Sequence, residues 1–597
     1  MTITAKDRCR ARRGLPEVTE RSTTHLHVAE NAEIEARHAV DTALAELGEG
    51  EKTWASLSLS KRADLLGRVR DLTVAHGNEW VDAARVIKGL SESSPLLGEE
   101  WMSGPYAFAG GASMLIHTLT ALDSGNSPLA SVEFGSAPGD RTTVQVLPMT
   151  MYDSLLLSGF RADVWLKPGI DAATATRSAG LAQREPTRTG GIGAVLGAGN
   201  ITSIAPLDTF YELFAHNRVV ALKLNPITDP MLPVLTTVLA PLIEVGAVRI
   251  LTGGPEVGTY LVQHPSVAHV HMTGSSITHD AIVFGPGETG AERKAANDPI
   301  LTKPMTSELG GVSPTIVFPG KWSRADIEFQ AEHIATQRLH NNGYNCVAAQ
   351  AVIVSSAWDQ RDEFLAALRD ALDRAPGRRA YYPGSDARVT GALDSYPRSE
   401  RLSNGRVLIG DIDPGDETAL LTTEYFAPVL GVVELPCTGT TFAEKAVQTA
   451  NDDFVGTLGV NIIAHPSTIA EMGDRFESVL AELRYGTVAV NTWTGLGFLS
   501  AAATWGAFPG HTIDDVQSGI GIVHNALLID GAERTVVRGP FRPAPRSLLA
   551  REWALTPKPP WFLSNRTAAT TGRLLTAFAG KPSWTKLPAI FASALRG

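Results

Sequence analysis

Five places along the chain carry residue types suited to chemistry, three of them on a carbonyl carbon and two toward a phosphate or ribose. The first is Cys346, in His340-Asn-Asn-Gly-Tyr-Asn-Cys346, between a predicted helix and the strand AQAVIV. A thiolate attacks carbonyl carbon when N–H donors or positive potential activate it. A lone cysteine is as readily a small buried apolar residue, the only reading open to Cys437 in ELPCTG. The second is Glu308, in Ser307-Glu308-Leu309-Gly310-Gly311. A carboxylate beside a Gly-Gly turn can reach into a cleft and act as general base on water if an apolar wall raises its pKa. Otherwise it is an exposed charge at a strand end. The third is Asn200, after Gly197-Ala-Gly199, whose amide can donate to a developing oxyanion or simply cap a turn. The fourth is Gly274-Ser275-Ser276, where a strand gives way to a helix and free N–H groups favour a pyrophosphate. The fifth is Lys223, closing VVALK, placed for a ribose hydroxyl or a 2′-phosphate, or else a solvated edge charge. By contrast, Gly191-Ile-Gly193 with Gly197 has GxGxxxG spacing rather than GxGxxG, so it is weak support for a phosphate cradle.

These residues need strand ends to hold them, and the hydrophobic pattern supplies strands. From Gly190 short apolar runs alternate with helical segments. Strands are expected at GIGAVLG, Val219–Leu224, Val248–Leu251 and Val267–Met272. Helices are expected at Pro206–His216, Met231–Glu244, Glu256–Gln263 and from Thr278. A second alternating block runs from SELGGVSPTIVFPG through helices at Arg324–Arg338, Asp359–Arg374 and Ser467–Leu483, with strands at Ala349–Val354, Leu458–Ile463 and Thr487–Val490. Such alternation predicts β-α-β units and two α/β domains built on parallel sheets. Residues 52–90 read as helices, and 103–165 give no clear pattern. After about Ala526, PFRPAPR, PKPPWF and KPSW predict an extended arm packed on a surface or on another subunit.

Composition removes several function classes. The chain has 597 residues with 52 Lys and Arg against 63 Asp and Glu, a net charge of −11, which argues against a nucleic-acid binder. Three cysteines, Cys9, Cys346 and Cys437, make no disulfide framework or zinc site, so no metal is expected and a reducing, cytoplasmic setting is. The longest uncharged stretch, Tyr485 to Ile513, holds five glycines and Pro509 and cannot span a bilayer. The basic N-terminus lacks an apolar core and reads as a flexible tail rather than a secretory signal.

Taken in order, the motifs resemble the aldehyde dehydrogenase superfamily. The resemblance rests on Asn200, Lys223, Gly274-Ser275, Glu308-Leu309-Gly310-Gly311, Cys346 and Glu424-Tyr425-Phe426-Ala427-Pro428. Ala450-Asn451-Asp452, Arg484-Tyr485-Gly486, Asn491 and Gln517-Ser518-Gly519 close the series. It spans roughly residues 30–530. It implies two Rossmann-like parallel-sheet domains, for cofactor and catalysis, plus a small β oligomerisation arm. The expected division is a tail at 1–30, a cofactor domain at 31–305 including an arm near 160–188, and a catalytic domain at 306–483. A return segment at 484–525 and a Pro- and aromatic-rich extension at 526–597 complete it. It implies NAD- or NADP-dependent oxidation of a small-molecule aldehyde to an acid. Cys346 is then the nucleophile, Glu308 the deacylation base, and Asn200 with the Cys346 N–H the oxyanion hole. Lys223, Gly254, Gly274, Ser275, Glu424 and Phe426 hold the cofactor, with the Leu309 N–H on its carboxamide. The family's exchange of a β-arm implies a homo-oligomer, a dimer or tetramer, by way of segments near 160–188 and 485–491.

Departures from the family pattern qualify this. Gly199 stands where a Trp is usual, Ile201-Thr202 replace Phe-Pro, and Thr209 replaces a lysine that helps protons leave. Tyr344 stands in place of a Gln, and His279 in place of the last Gly of the Gly-Ser loop. Pro226 replaces an acid three residues after Lys223, which predicts that NADP is accepted at least as well as NAD. The changed GAGN segment leaves open a CoA-acylating or acyl-thioester reductase, in which a thiol replaces water, although Glu308 argues against it. A catalytically silent scaffold of the same fold is the remaining alternative.

Overall fold

The computed structural model describes residues 19–412, 414 and 419–597. Most of its strands, among the described residues, fall into two large sheets. The smaller has the spatial order Gly519–Ile520, Met305–Leu309, Val267–Gly274, Ile192–Leu196, Val219–Lys223, Val248–Leu251. All its neighbours run parallel except Gly519–Ile520 against Met305–Leu309. Ile192–Leu196 and Val219–Lys223 are buried almost throughout, because helices cover both faces of a parallel sheet and leave no polar side.

The larger sheet has eleven strands. Its parallel centre runs Ala532–Arg538, Thr487–Val490, Gly459–Ile463, Ser313–Val317, Ala349–Ser355, Val429–Leu435, Val407–Ile412. Glu400–Arg401 closes one edge. At the other, Arg161–Leu166, Arg141–Leu147 and Phe134–Ala137 form an antiparallel ribbon. The α/β class with parallel-dominated sheets is therefore as the sequence indicates.

Several expectations change. Residues 160–188 are strand only over Arg161–Leu166, followed by a helix at Ala172–Ser178 and a 3-10 turn at Leu181–Arg184. That strand pairs with Ala532–Arg538 of its own chain, so the segment expected to extend a partner's sheet extends this one. The region after 526 is not simply an extended arm. It supplies an inner strand, then helices at Ala568–Gly580 and Leu587–Ala594. The expected helix Met231–Glu244 is a 3-10 turn and two short helices, because prolines 226, 230, 233 and 241 remove backbone donors. The expected helix Ser467–Leu483 is split at Gly473, which has φ 52°. Residues 102–123, unreadable in sequence, form a π-helical turn, Met102–Tyr106, and a helix, Ala107–Asp123. A helix starting at Thr19 enters the expected tail, whose residues 1–18, with Cys9, lie outside the described residues. No helix among the described residues is long and apolar enough to cross a membrane.

Candidate active site

The two sheets meet along a cleft of about 1020 Å³. Asn200, Lys223, Gly254, Gly274, Ser275, Glu308, Cys346, Glu424 and Phe426 all line it, so nine of the ten residues singled out from sequence converge. The exception is Leu309. It is buried, and its N–H donates to the Ser518 carbonyl at 2.8 Å, so it is not free to hold a carboxamide. Pairing of Gly519–Ile520 with Met305–Leu309 uses that donor.

The loop that precedes Cys346 is held in an uncommon backbone conformation. Asn341, Asn342 and Gly343 are all left-handed, with φ of 52°, 57° and 80°. Asn and Gly tolerate that region best. The Glu99 carboxylate accepts from the Asn341 N–H at 3.0 Å and pairs with Arg378 at 2.7 Å. The Asn341 amide in turn donates to the Tyr344 carbonyl at 3.0 Å and the Asn200 carbonyl at 3.2 Å. Tyr381 adds a hydroxyl bond to the Asn200 carbonyl at 3.2 Å. Asn200 itself donates one amide hydrogen to the Tyr344 carbonyl at 2.9 Å. An amide NH2 carries two hydrogens, so the second remains for an oxyanion.

Glu308 has no exposed surface, and neither of its oxygens makes a well-formed hydrogen bond. Its polar neighbours are the Cys346 thiol and the Trp505 indole. Burial pushes its carboxyl up. Burial, then the Glu308 charge, pushes the Cys346 thiol well up, so the free site favours a protonated thiol beside an acceptor for its proton.

Behind Glu308 lies a charged cluster not foreseen from sequence. Thr273 stands opposite Glu308 in the parallel ladder and donates its hydroxyl to Asp208 at 2.9 Å. His524 Nε2 lies 3.0 Å and His271 Nε2 3.5 Å from the Asp208 carboxylate. One helical turn on, Glu212 meets His269 at 3.2 Å and Arg218 at 3.0 Å. Burial opposes the Asp208 charge, but His271 and His524 outweigh it and hold its pKa down. The signal was present as Asp208 and Glu212 at i,i+4 facing His269 and His271 at i,i+2. Nothing in the sequence showed that the two periodicities face each other.

At the other end of the cleft, Ser275 caps the helix Ser276–Val283, its hydroxyl accepting from the Thr278 N–H at 3.2 Å. The helix start, with Ser276 and Ile277, faces the cleft. Burial lowers the Lys223 pKa, while Asp229 and Glu256 act to raise it. Pro226 therefore does not leave Lys223 without carboxylates, since two come from elsewhere in the chain. Burial raises Glu424 to about 8, and its Oε1 is buried without a partner. A Cβ at Gly310 would strike that carboxylate. Phe426, with φ 43°, packs on Tyr382 at 4.8 Å between ring centres.

The closing motifs are latches. Asn451 accepts from the Arg484 N–H at 2.8 Å, Tyr485 donates to the Ala450 carbonyl at 2.6 Å, and Asn491 accepts from the Ala464 N–H at 2.9 Å. Thr209, in place of the usual lysine, bonds back to Ala205 at 2.9 Å within its own helix.

Residues 172–390 match the aldehyde dehydrogenase family. A curated relative, the D-glyceraldehyde dehydrogenase (NADP(+)) of Picrophilus torridus, is 24% identical over 271 residues, 41% of this chain and 49% of that protein. The chain thus matches about half the length of that relative. Among solved structures, the gamma-glutamyl-gamma-aminobutyraldehyde dehydrogenase of Burkholderia cenocepacia J2315 superposes with a TM-score of 0.55 and 19% identity, over 84% of this chain and 88% of that one. The NADP-dependent glyceraldehyde-3-phosphate dehydrogenase of Bacillus halodurans, complexed with NADP, gives a TM-score of 0.56 and 17% identity over 84% and 91%. Family match and fold agree: residues 172–390 carry the sequence pattern of the aldehyde dehydrogenase family, and the chain has the fold of the solved aldehyde dehydrogenases.

Proposed function

We propose that the protein oxidises an aldehyde to a carboxylic acid with NAD or NADP through Cys346. The observation that carries this is a single cleft with a thiol, a buried carboxyl and an amide donor at one end and a lysine and a capped helix start at the other. The names of the relatives, an NADP-dependent glyceraldehyde dehydrogenase among them, support it.

The residues present fit a dinucleotide. Ser275 and the helix start suit its pyrophosphate, Lys223 the adenosine ribose, and Gly254 and Gly274 the close approach of its backbone. The orphaned Glu424 oxygen beside Gly310 suits a ribose hydroxyl, and Phe426 suits the nicotinamide face. When bound, the nucleotide supplies the acceptor for a hydride.

The chain's own residues do the rest. The Cys346 thiol gives up its proton to solvent in the cleft, and its sulfur bonds to the carbonyl carbon. The second amide hydrogen of Asn200 and the Cys346 N–H hold the oxygen as it becomes negative. After the carbon loses hydride, the acyl group remains on sulfur as a thioester. Glu308 then takes a proton from water as the water attacks, and the C–S bond breaks, with sulfur leaving as thiolate. Asp208 and His524 lie behind Glu308 for that proton to reach.

The division of the chain is proposed with changes, since Arg161–Leu166, Thr487–Val490 and Ala532–Arg538 are strands of the larger sheet. Met305–Leu309 belongs to the smaller sheet, so the cofactor domain ends at the Gly310-Gly311 turn rather than at 305. A homo-oligomer has no need of strand exchange, since the ribbon is paired in the chain, and its remaining route is through outer faces. The test is a panel of aldehydes and acyl-CoAs with NAD and NADP, followed by nicotinamide absorbance. Reduction of nucleotide by aldehyde without added thiol is expected, and reduction only with CoA present would overturn the reading.

A further inference from the structure

On the side of Cys346 away from the cofactor cleft lies a second cavity, of about 40 Å³, which shares Asn200, Ile204 and Cys346 as its wall with the cleft. An aldehyde whose carbonyl sits between Cys346 and Asn200 must place its chain there. The cavity has no Asp, Glu, Lys or Arg in its lining. His340 is its one histidine, and burial lowers that ring to about 4, so it is neutral near pH 7. Aromatic rings close it. Trp493 packs on His340 at 4.7 Å, Phe498 on Trp505 at 5.6 Å, and Trp561 completes the wall.

Trp561 comes from the region beyond the family-like part of the sequence, in Lys558-Pro-Pro-Trp-Phe-Leu563. The segment is clamped. Phe562 stacks on Phe329 at 5.3 Å and His333 at 5.2 Å, Trp561 meets Phe160 edge-on at 5.7 Å, and Lys558 pairs with Glu332 at 3.0 Å. Trp561 is 3% exposed. Further on, the helix Ala568–Gly580 lies so close to Leu97–Trp101 that a side chain at Gly98 would strike Ala568. That contact holds the adjoining turn, which carries Met102 to the cavity.

We propose that the C-terminal segment closes the acyl cavity and restricts the enzyme to short, uncharged aldehydes, with Trp561 setting the length. A cavity of about 40 Å³ has room for roughly three water-sized groups, at ~10–15 Å³ each, so chains of about two to four carbons fit. A carboxylate or phosphate on the substrate would be buried with no cation to meet it. This deepens the dehydrogenase reading and rests on it.

The test is kcat/KM across acetaldehyde, propanal, butanal, hexanal and octanal, with succinic semialdehyde as the charged member. The expected profile peaks at propanal or butanal and falls at least ~100-fold for octanal and for the semialdehyde, a difference of about 2.7 kcal/mol. Trp561→Gly should raise hexanal relative to propanal by at least ~10-fold, and Trp561→Leu, which keeps the wall filled, should do so less. A wild-type profile flat or rising to octanal overturns the proposal. So does an unchanged profile in Trp561→Gly with native melting temperature. A second arm needs neither turnover nor nucleotide: indole fluorescence of Cys346→Ala titrated with butanamide and octanamide. Tighter binding of butanamide supports the cavity even if no aldehyde is oxidised, an outcome that would sink only the dehydrogenase reading. Tighter binding of octanamide overturns the cavity reading whatever the activity.

Discussion

Cys346 and Glu308 are neighbours in a place where burial opposes the charge of each, and most tests of the proposed mechanism begin there. Cys346→Ala should abolish turnover and leave nucleotide binding within about twofold, read by nucleotide fluorescence, because the thiol lies at one end of the cleft and Lys223 and Ser275 at the other. Glu308→Gln should keep cysteine acylation and hydride transfer but slow hydrolysis by ~10²–10⁴-fold. Stopped flow should show a burst of reduced nucleotide, then a slow steady state, with acyl-enzyme seen by mass spectrometry. The base works only when deprotonated, and burial raises its pKa, so wild-type hydrolysis should climb with pH through that raised value. The variant should lack that limb. Cofactor choice belongs at this scale too. With Asp229 and Glu256 acting on Lys223, Asp229→Asn should shift the kcat/KM ratio toward NADP by about tenfold, or ~1.4 kcal/mol, since a 2′-phosphate then meets one carboxylate fewer. That these residues line one cleft was legible because the chemistry proposed for them needs particular residue types. The proton's surroundings were not, because Asp208 and His271 come from a helix and a strand whose facing sides only the fold reveals.

Strands and helices decide how these groups feel one another. The Ile522–Asn525 strand, paired with Thr504–Gly506, carries His524 to Asp208 and sets Trp505 opposite it. The two charges act on Glu308 in opposite senses, Asp208 raising its pKa and His524 lowering it. Asp208→Asn should therefore move the ascending limb of the pH–rate profile to lower pH, and His524→Gln to higher pH. Coincident limbs in both variants would show that the cluster does not act on the base. Parallel strands were easy to find because burial on both faces makes them continuous apolar runs, as in VVALK and SPTIV. The Arg161–Leu166 strand was harder to place, since nothing local tells a strand which edge it will join. Helix breaks at Pro230, Pro233, Pro241 and Gly473 were visible as residues but were overridden by the apolar period.

For the whole molecule, in-chain pairing of Arg161–Leu166 leaves the outer faces as the route to the homo-oligomer we propose. Sedimentation at micromolar concentration should give at least twice the 63.5 kDa chain mass, and a mass near 63.5 kDa would count against the oligomer. The C-terminal region read as an appendage because Pro and aromatic residues dominate it locally. Its strand Ala532–Arg538 is instead one of the most buried segments of the larger sheet.

That strand also orders the events of synthesis. It lies between Arg161–Leu166, made far earlier, and Thr487–Val490, made shortly before it. Until residue 538 clears the ribosome, both present unpaired edges, and an open edge pairs with whatever strand it meets. The nascent chain must therefore keep the edge of its N-terminal ribbon from pairing elsewhere while the residues from Leu166 to Arg538 are made.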